Sequence, residues 1–256
     1  MNDFLVGLQF LTRITLSKNV DWSEKACGGS VKFFPLIGAV LSIFYGIVGY
    51  VIFFLLPNYN VHLSPQLIGF ILLALNIFLT GALHCDGFTD TMDGILSGRN
   101  PQRILEIMKD SRVGAHGATS LILLLIGKYT MFASLSWQFA LAALILMPII
   151  PRHCMSLAVV LFPYAHPQGL GKAFHEYSSK RDLILPVIFT ILITLLCQPI
   201  ALIVYALTTF IMYAFDRYVC HLIGGLTGDV YGATTELGEF VVLFLFVITQ
   251  YVYFSL

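Results

Sequence analysis

"QLIGFILLALNIFLTGALHCDGFTDTMDG", residues 66–94, changes character at residue 84. Residues 66–83 are almost wholly apolar and approach the roughly 20 residues that a membrane-spanning helix needs. The next eleven residues hold Asp86, Asp90, Asp93, Gly87 and Gly94. On a helix, positions i, i+4 and i+7 share one face, so the three aspartates are expected side by side at the mouth of a span. Carboxylates crowded at low effective dielectric repel each other, and either take up protons or bind a cation. Oxygen-only ligands suit a hard ion such as Mg²⁺, with Mn²⁺ as a substitute, and Mg²⁺ shares its shell readily with substrate phosphates. Each glycine costs a helix roughly 1 kcal/mol against alanine, but lets a ligand or a second helix come close.

The rest of the chain is equally apolar. Of 256 residues, 58% are hydrophobic and 11% charged, against roughly a quarter charged in soluble domains. This is the composition of an integral membrane protein. A formal net charge of zero gives no footprint for nucleic acid. The N-terminal residues lack the basic, apolar and small-residue pattern of a cleavable signal. The five cysteines, at 27, 85, 154, 197 and 220, form no CxxC and read as small hydrophobes.

Apolar runs cover 36–56, 66–83, 118–135 and 139–162. The run 183–215 is too long for one span and breaks at "CQP", 197–199, and a last run covers 239–253. The expectation is an all-α polytopic transmembrane bundle of seven spans, or six if the broken run is a re-entrant pair. It forms a single domain over residues 1–256, of which 1–35 are an amphipathic N-terminal segment. Lysines and arginines gather before the first span, between the second and third, between the fourth and fifth, and after the sixth. The opposite loops, "PNYNVHLSP", "SWQ" and "CQP", hold no acidic or basic residue. The positive-inside rule then turns every charged loop to the cytoplasm. Lys128 and Arg152 are left as the charges inside spans. A transporter is expected to carry acidic groups deep in several spans; here the chemistry gathers at one interface, which favours an enzyme.

Two further blocks face that interface. In "GRNPQRILEIMKDSRVGAHGA", residues 98–118, Asn100-Pro101 reads as a helix start, followed by a short amphipathic helix at the membrane surface. Arg99, Lys109 and Arg112 are candidate diphosphate ligands. His116 is a candidate general base or phosphate donor. In "DRYVCHLIGGLTGDVYGATTELGE", residues 216–239, the glycines make a flexible, close-approach segment. Asp229 and Glu236, seven apart, are expected on one face as a second wall of the same mouth.

"HCDGFTDTMDG" followed by "IMKDSRVGAHGA" resembles the signature of the cobalamin synthase family, and "GGLTGDVYGATTELGE" and "FFPLIGA" (33–39) are similar to its C- and N-terminal blocks. The resemblance implies a Mg²⁺-dependent polytopic transferase of the cytoplasmic (inner) membrane, with its active site facing the cytoplasm. The substrates implied are adenosylcobinamide-GDP and α-ribazole or its 5′-phosphate, and the products adenosylcobalamin or its 5′-phosphate and GMP. Asp86, Asp90 and Asp93 would bind metal and Lys109 and Arg112 would clamp phosphate. Asp229 and Glu236 would complete the site. Membrane placement also implies lipid contact, and fits assembly as a homo-oligomer or with other enzymes of the pathway. "DTMDGILSGR", residues 90–99, is similar to the opening of the CDP-alcohol phosphotransferase motif, Asp-x-x-Asp-Gly-x-x-Ala-Arg. Its arginine comes one residue late and the family's later aspartate pair is absent, so that under this resemblance Asp110 or Asp229 would supply the further metal ligands. A phospholipid synthase is therefore the second reading and a non-enzymatic transporter the third.

Overall fold

The computed structural model describes residues 1–166 and 168–255, and among these the chain is helical throughout, with one isolated bridge in place of any sheet. Helix α1 (Asn2–Leu11) is a short amphipathic piece, and α2 (Glu24–Ser30) starts at Ser23, whose side chain accepts from the Ala26 amide. A tight turn leads into α3 (Phe34–Tyr50), which continues through a widened turn, Val51–Leu55, into α4 (Leu56–Asn58). Helix α5 (Pro65–Thr80) opens with a Ser64 cap and Pro65. It ends at Gly81 and Ala82, two successive left-handed residues with φ of 64° and 60°. Glycine takes that conformation freely and alanine at a cost of about 1–2 kcal/mol. The chain thereby bends by 91° into α6 (Leu83–Leu96). The apolar-to-polar switch in the sequence is therefore a corner: α5 is the membrane limb, and α6, which carries the aspartates, turns off across its end.

Asn100 caps α7 (Pro101–Met108) by accepting from the Arg103 amide at 3.0 Å, as the Asn-Pro pair implies. Then come α8 (Ala115–Ser134), α9 (Trp137–Leu161), the short α10 (Leu170–Glu176), α11 (Ile184–Cys197), α12 (Ala201–Ile223) and α13 (Gly228–Ser255). Central in the bundle is α9, packed by α3 and α13. Outer faces of α5, α8, α11 and α12 leave Phe70, Phe78, Leu123, Leu196 and Phe210 exposed, as helices in lipid do. All five cysteines are free.

Five helical segments are long and apolar enough to cross a bilayer, or six if the bent α5–α6 pair counts as one span. The seven expected runs all form helices, but α11 has only 14 residues, about 21 Å, short of a hydrocarbon core of about 30 Å. The break at 197–199 is real. The re-entrant alternative does not hold for its second half, because α12 has 23 residues and runs on to Ile223. Residues 228–239 also depart from expectation. They are not a flexible glycine segment but the first three turns of α13, so the last span begins eleven residues earlier than the hydropathy run.

Candidate active site

One close helix crossing, with a glycine on each side, builds the site. A Cβ at Gly87 would stand 2.7 Å from the Asp229 carbonyl oxygen, and one at Gly232 3.3 Å from that of His84. These glycines let α6 and α13 pack backbone against backbone, which brings Asp229 to the aspartates of α6. Burial, then repulsion from Asp86, Asp229 and Asp93, pushes the Asp90 carboxyl up to about 7. Asp86, Asp93 and Asp229 thus lie within electrostatic reach of Asp90. Their donor chemistry fits a hard divalent cation. Among the described residues, however, no three His, Cys, Asp or Glu side chains converge tightly enough to hold one as they stand.

Asp93 turns away from this group. It is 7% exposed, and its two oxygens accept from the amides of Gly114 (2.7 Å) and Gly117 (2.8 Å) at the start of α8. Helix α8 has no side-chain cap of its own, so Asp93 satisfies its first amides from another helix and meets the positive end of its dipole. A Cβ at either glycine would collide with the Asp93 carboxylate. The spacing of "DG" and "GAHG" is thereby explained by packing as well as by any ligand.

The cationic turn is open. Arg112 donates to Asp110 through Nε (3.0 Å) and a terminal nitrogen (2.7 Å), and this pairing holds Asp110 down to about 2. Asp110 is thus the partner of Arg112, 17 residues beyond Asp93. Arg99 and His116 are exposed. Lys109 lines a cavity of about 340 Å³, together with Asp86, Gly87, Asp229, Gly232, His84, Tyr164 and His166, and with an apolar wall from Phe10, Phe34, Met155, Val159 and Phe174. A neighbouring cavity of about 370 Å³ shares Asp86 and is lined by Gln9, Thr12 and Arg13.

Tyr164 and His166 are set over the first cavity by a clasp. Ala165 donates to the Leu226 carbonyl and Leu226 to that of Pro163, both at 2.8 Å. Burial and the Lys109 cation lower the His166 pKa.

Glu236 is not in this mouth. It lies two turns deeper on α13, 1% exposed, and accepts from Lys128 Nζ at 2.8 Å. Lys128 also donates to Glu239 (2.6 Å) and Asn76 (2.9 Å), and Arg152 donates to Glu239 at 3.1 Å. The two cations inside spans are therefore balanced by two buried anions, Glu239 at the start of the hydropathy run and Glu236, which the early start of α13 adds to the helix. Unpaired charge is unsustainable there, which is the physical reason Glu236 points inward.

Sequence reasoning missed His84, Arg13, Tyr164 and His166. His84 stood inside the quoted motif, but two residues from Asp86 it falls off the aspartate face on a helical count. Its place at the first turn after the corner lets both side chains reach one cavity. Arg13, Tyr164 and His166 carried no spacing signal; loop closure alone delivers them.

The sequence profile of the family described as "Cobalamin-5-phosphate synthase" matches residues 3–247. Among curated relatives, the "Adenosylcobinamide-GDP ribazoletransferase" of Desulfitobacterium hafniense is 39% identical, covering 95% of each chain. The protein of that name from Fusobacterium nucleatum is 34% identical over 97% of this chain and 98% of its own. The one from Treponema denticola is 36% identical over 95% and 96%. No solved structure matches the chain.

Proposed function

The chain belongs to the cobalamin-5-phosphate synthase family, and we propose from that premise that the carboxylate–lysine mouth between α6 and α13 is its ribazoletransferase site. The enzyme transfers a ribazole onto adenosylcobinamide-GDP, as its relatives' name describes, with α-ribazole or its 5′-phosphate as the acceptor. A ribose hydroxyl oxygen attacks the phosphorus that carries the cobinamide. The bond from that phosphorus to the guanosine phosphate breaks, GMP leaves with the electron pair, and the hydroxyl proton is lost.

The observation that carries this reading is the placing of Asp86, Asp229 and Lys109 on one cavity, with Asp90 within electrostatic reach of both carboxylates. Asp86, Asp90 and Asp229 are the residues that would hold Mg²⁺, which when bound neutralises phosphate charge. Asp93, with both oxygens engaged by α8, holds the cationic turn in place. Lys109 contacts phosphate oxygens from the cavity rim. Arg112 and Arg99, both exposed, are free to swing to the diphosphate, since an exposed ion pair such as Arg112–Asp110 stabilises little. Asp86 and Asp229 line the cavity, and the hydroxyl proton passes to one of them; His116 does not line it. The rate gain comes from positioning and preorganised charge.

The charged connectors at one end of the bundle favour a cytoplasmic site in the bacterial inner membrane. The test is GMP release by purified protein in nanodiscs given both substrates. The expected result is release that needs both substrates and Mg²⁺ and is lost in Asp90→Asn. CMP release from a CDP-linked lipid would instead establish the phospholipid-synthase reading, and neither product would leave no transferase.

A further inference from the structure

His84 is 1% exposed, and neither ring nitrogen has a hydrogen-bond partner among the described residues. Most buried polar groups in proteins are paired, and an unpaired one calls for an explanation. His84 is among the residues that line the 340 Å³ cavity. An imidazole offers a donor at one nitrogen and an acceptor at the other, and with Tyr164, Thr227 and Tyr231 it is one of the few polar groups set into a largely aromatic and aliphatic wall. Phe10, Phe34, Phe174 and Met155 form that wall, and Asp86, Lys109 and Asp229 stand at its rim.

Size and lining together select the occupant. Drug-sized ligands fill roughly 300–1,000 Å³, and this cavity lies at the lower end. A corrinoid macrocycle carrying a guanosine diphosphate is several times larger. A flat apolar aromatic base on a ribose matches both volume and lining, with the base against the phenylalanines and the sugar toward the carboxylates.

We infer that this cavity is the acceptor subsite, taking the aromatic riboside, with His84 as the positioning residue that hydrogen-bonds a polar atom of that ligand. The larger, nucleotide-activated substrate then approaches from outside, across the rim. The inference rests on the transferase reading above, because it divides that reaction's two substrates between two places. It accounts for the polar residue buried behind the apolar wall, which the phosphate chemistry leaves unused.

The experiment is steady-state GMP release by the full chain in nanodiscs, varying α-ribazole and adenosylcobinamide-GDP separately. Two variants are compared with wild type. His84→Phe keeps the ring shape and removes both polar atoms. Gly228→Phe fills the cavity from the first residue of α13, where a Cβ meets nothing within 4 Å. Both are expected to raise KM for α-ribazole by about tenfold, the loss expected when a buried polar group of the ligand is left unpaired or its space is taken. KM for adenosylcobinamide-GDP stays within about twofold. His84→Gln, which keeps a donor and an acceptor, restores most of the loss.

Unchanged α-ribazole KM in Gly228→Phe overturns the subsite, even if His84→Phe fails to fold. An increase confined to the adenosylcobinamide-GDP KM also overturns it and places the larger substrate in the cavity. Absence of GMP from the wild-type protein is a different failure, that of the transferase reading itself.

Discussion

Asp90 and Asp93 lie three residues apart and do different work. Asp93 accepts two amides at the start of α8, and loss of its carboxylate leaves buried donors unsatisfied. Asp93→Ala is therefore expected to destabilise by about 1–3 kcal/mol per orphaned amide, read as a lower unfolding midpoint in detergent, whereas Asp90→Asn leaves that midpoint at or above wild type. Asp90 has the opposite economy. Its carboxyl is raised from the ordinary 3.8 to about 7 by burial and by its acidic neighbours. A raised acid favours the fold while protonated, so its contribution is fully present below about pH 4 and is lost as pH rises through 7. A bound cation must displace that proton. Mg²⁺ affinity of the substrate-free protein is thus expected to climb about tenfold per pH unit up to roughly pH 7 and then flatten. Calorimetric titration at several pH values checks this, and a flat profile in wild type would remove Asp90 from the cation site.

Among the helices, α13 carries most of the arrangement. Its first turn supplies Asp229 to the mouth, and its third supplies Glu239 to both Lys128 and Arg152. Removing one member of a buried ion network leaves an uncompensated charge, at a cost of about 3–5 kcal/mol. Glu239→Gln is expected to lose that much in chemical unfolding, and Lys128→Met in the same background to recover part of it. Additive losses in the double variant would show that the network is not coupled. The same helix crosses α6 at Gly87 and Gly232, so stability in the bilayer and geometry at the mouth rest on one element.

Across the whole molecule, the loops divide cleanly. The charged connectors, with α1, α2, α7 and α10, close one end and surround the cavities. The far end is tied by uncharged contacts, such as Gln198 donating to the Gln138 carbonyl and the Ser136 amide donating to Gln250. A cysteine placed at Ser111 in a cysteine-free background is expected to be labelled only from the cytoplasmic side of oriented vesicles, and one at Asn60 only from the other. Reversed labelling would overturn the cytoplasmic placement of the site.

The amino-acid order by itself determined the class of this protein, the break at 197–199, the Asn-Pro helix start and the acidic block at the end of α5. Each of these is a local property, set by hydropathy, backbone chemistry or composition over a few residues. Tertiary packing decided the rest. Helical spacing grouped Asp93 with Asp86 and Asp90, but the amides of α8 claimed it. Spacing also grouped Glu236 with Asp229, but Lys128 drew it into the bilayer. His84, silent on a helical count, reached the cavity because two left-handed residues turned α6 through a right angle. The long-range partners of a buried charge and the direction of a chain after a corner depend on residues a hundred positions away, and no local period encodes them.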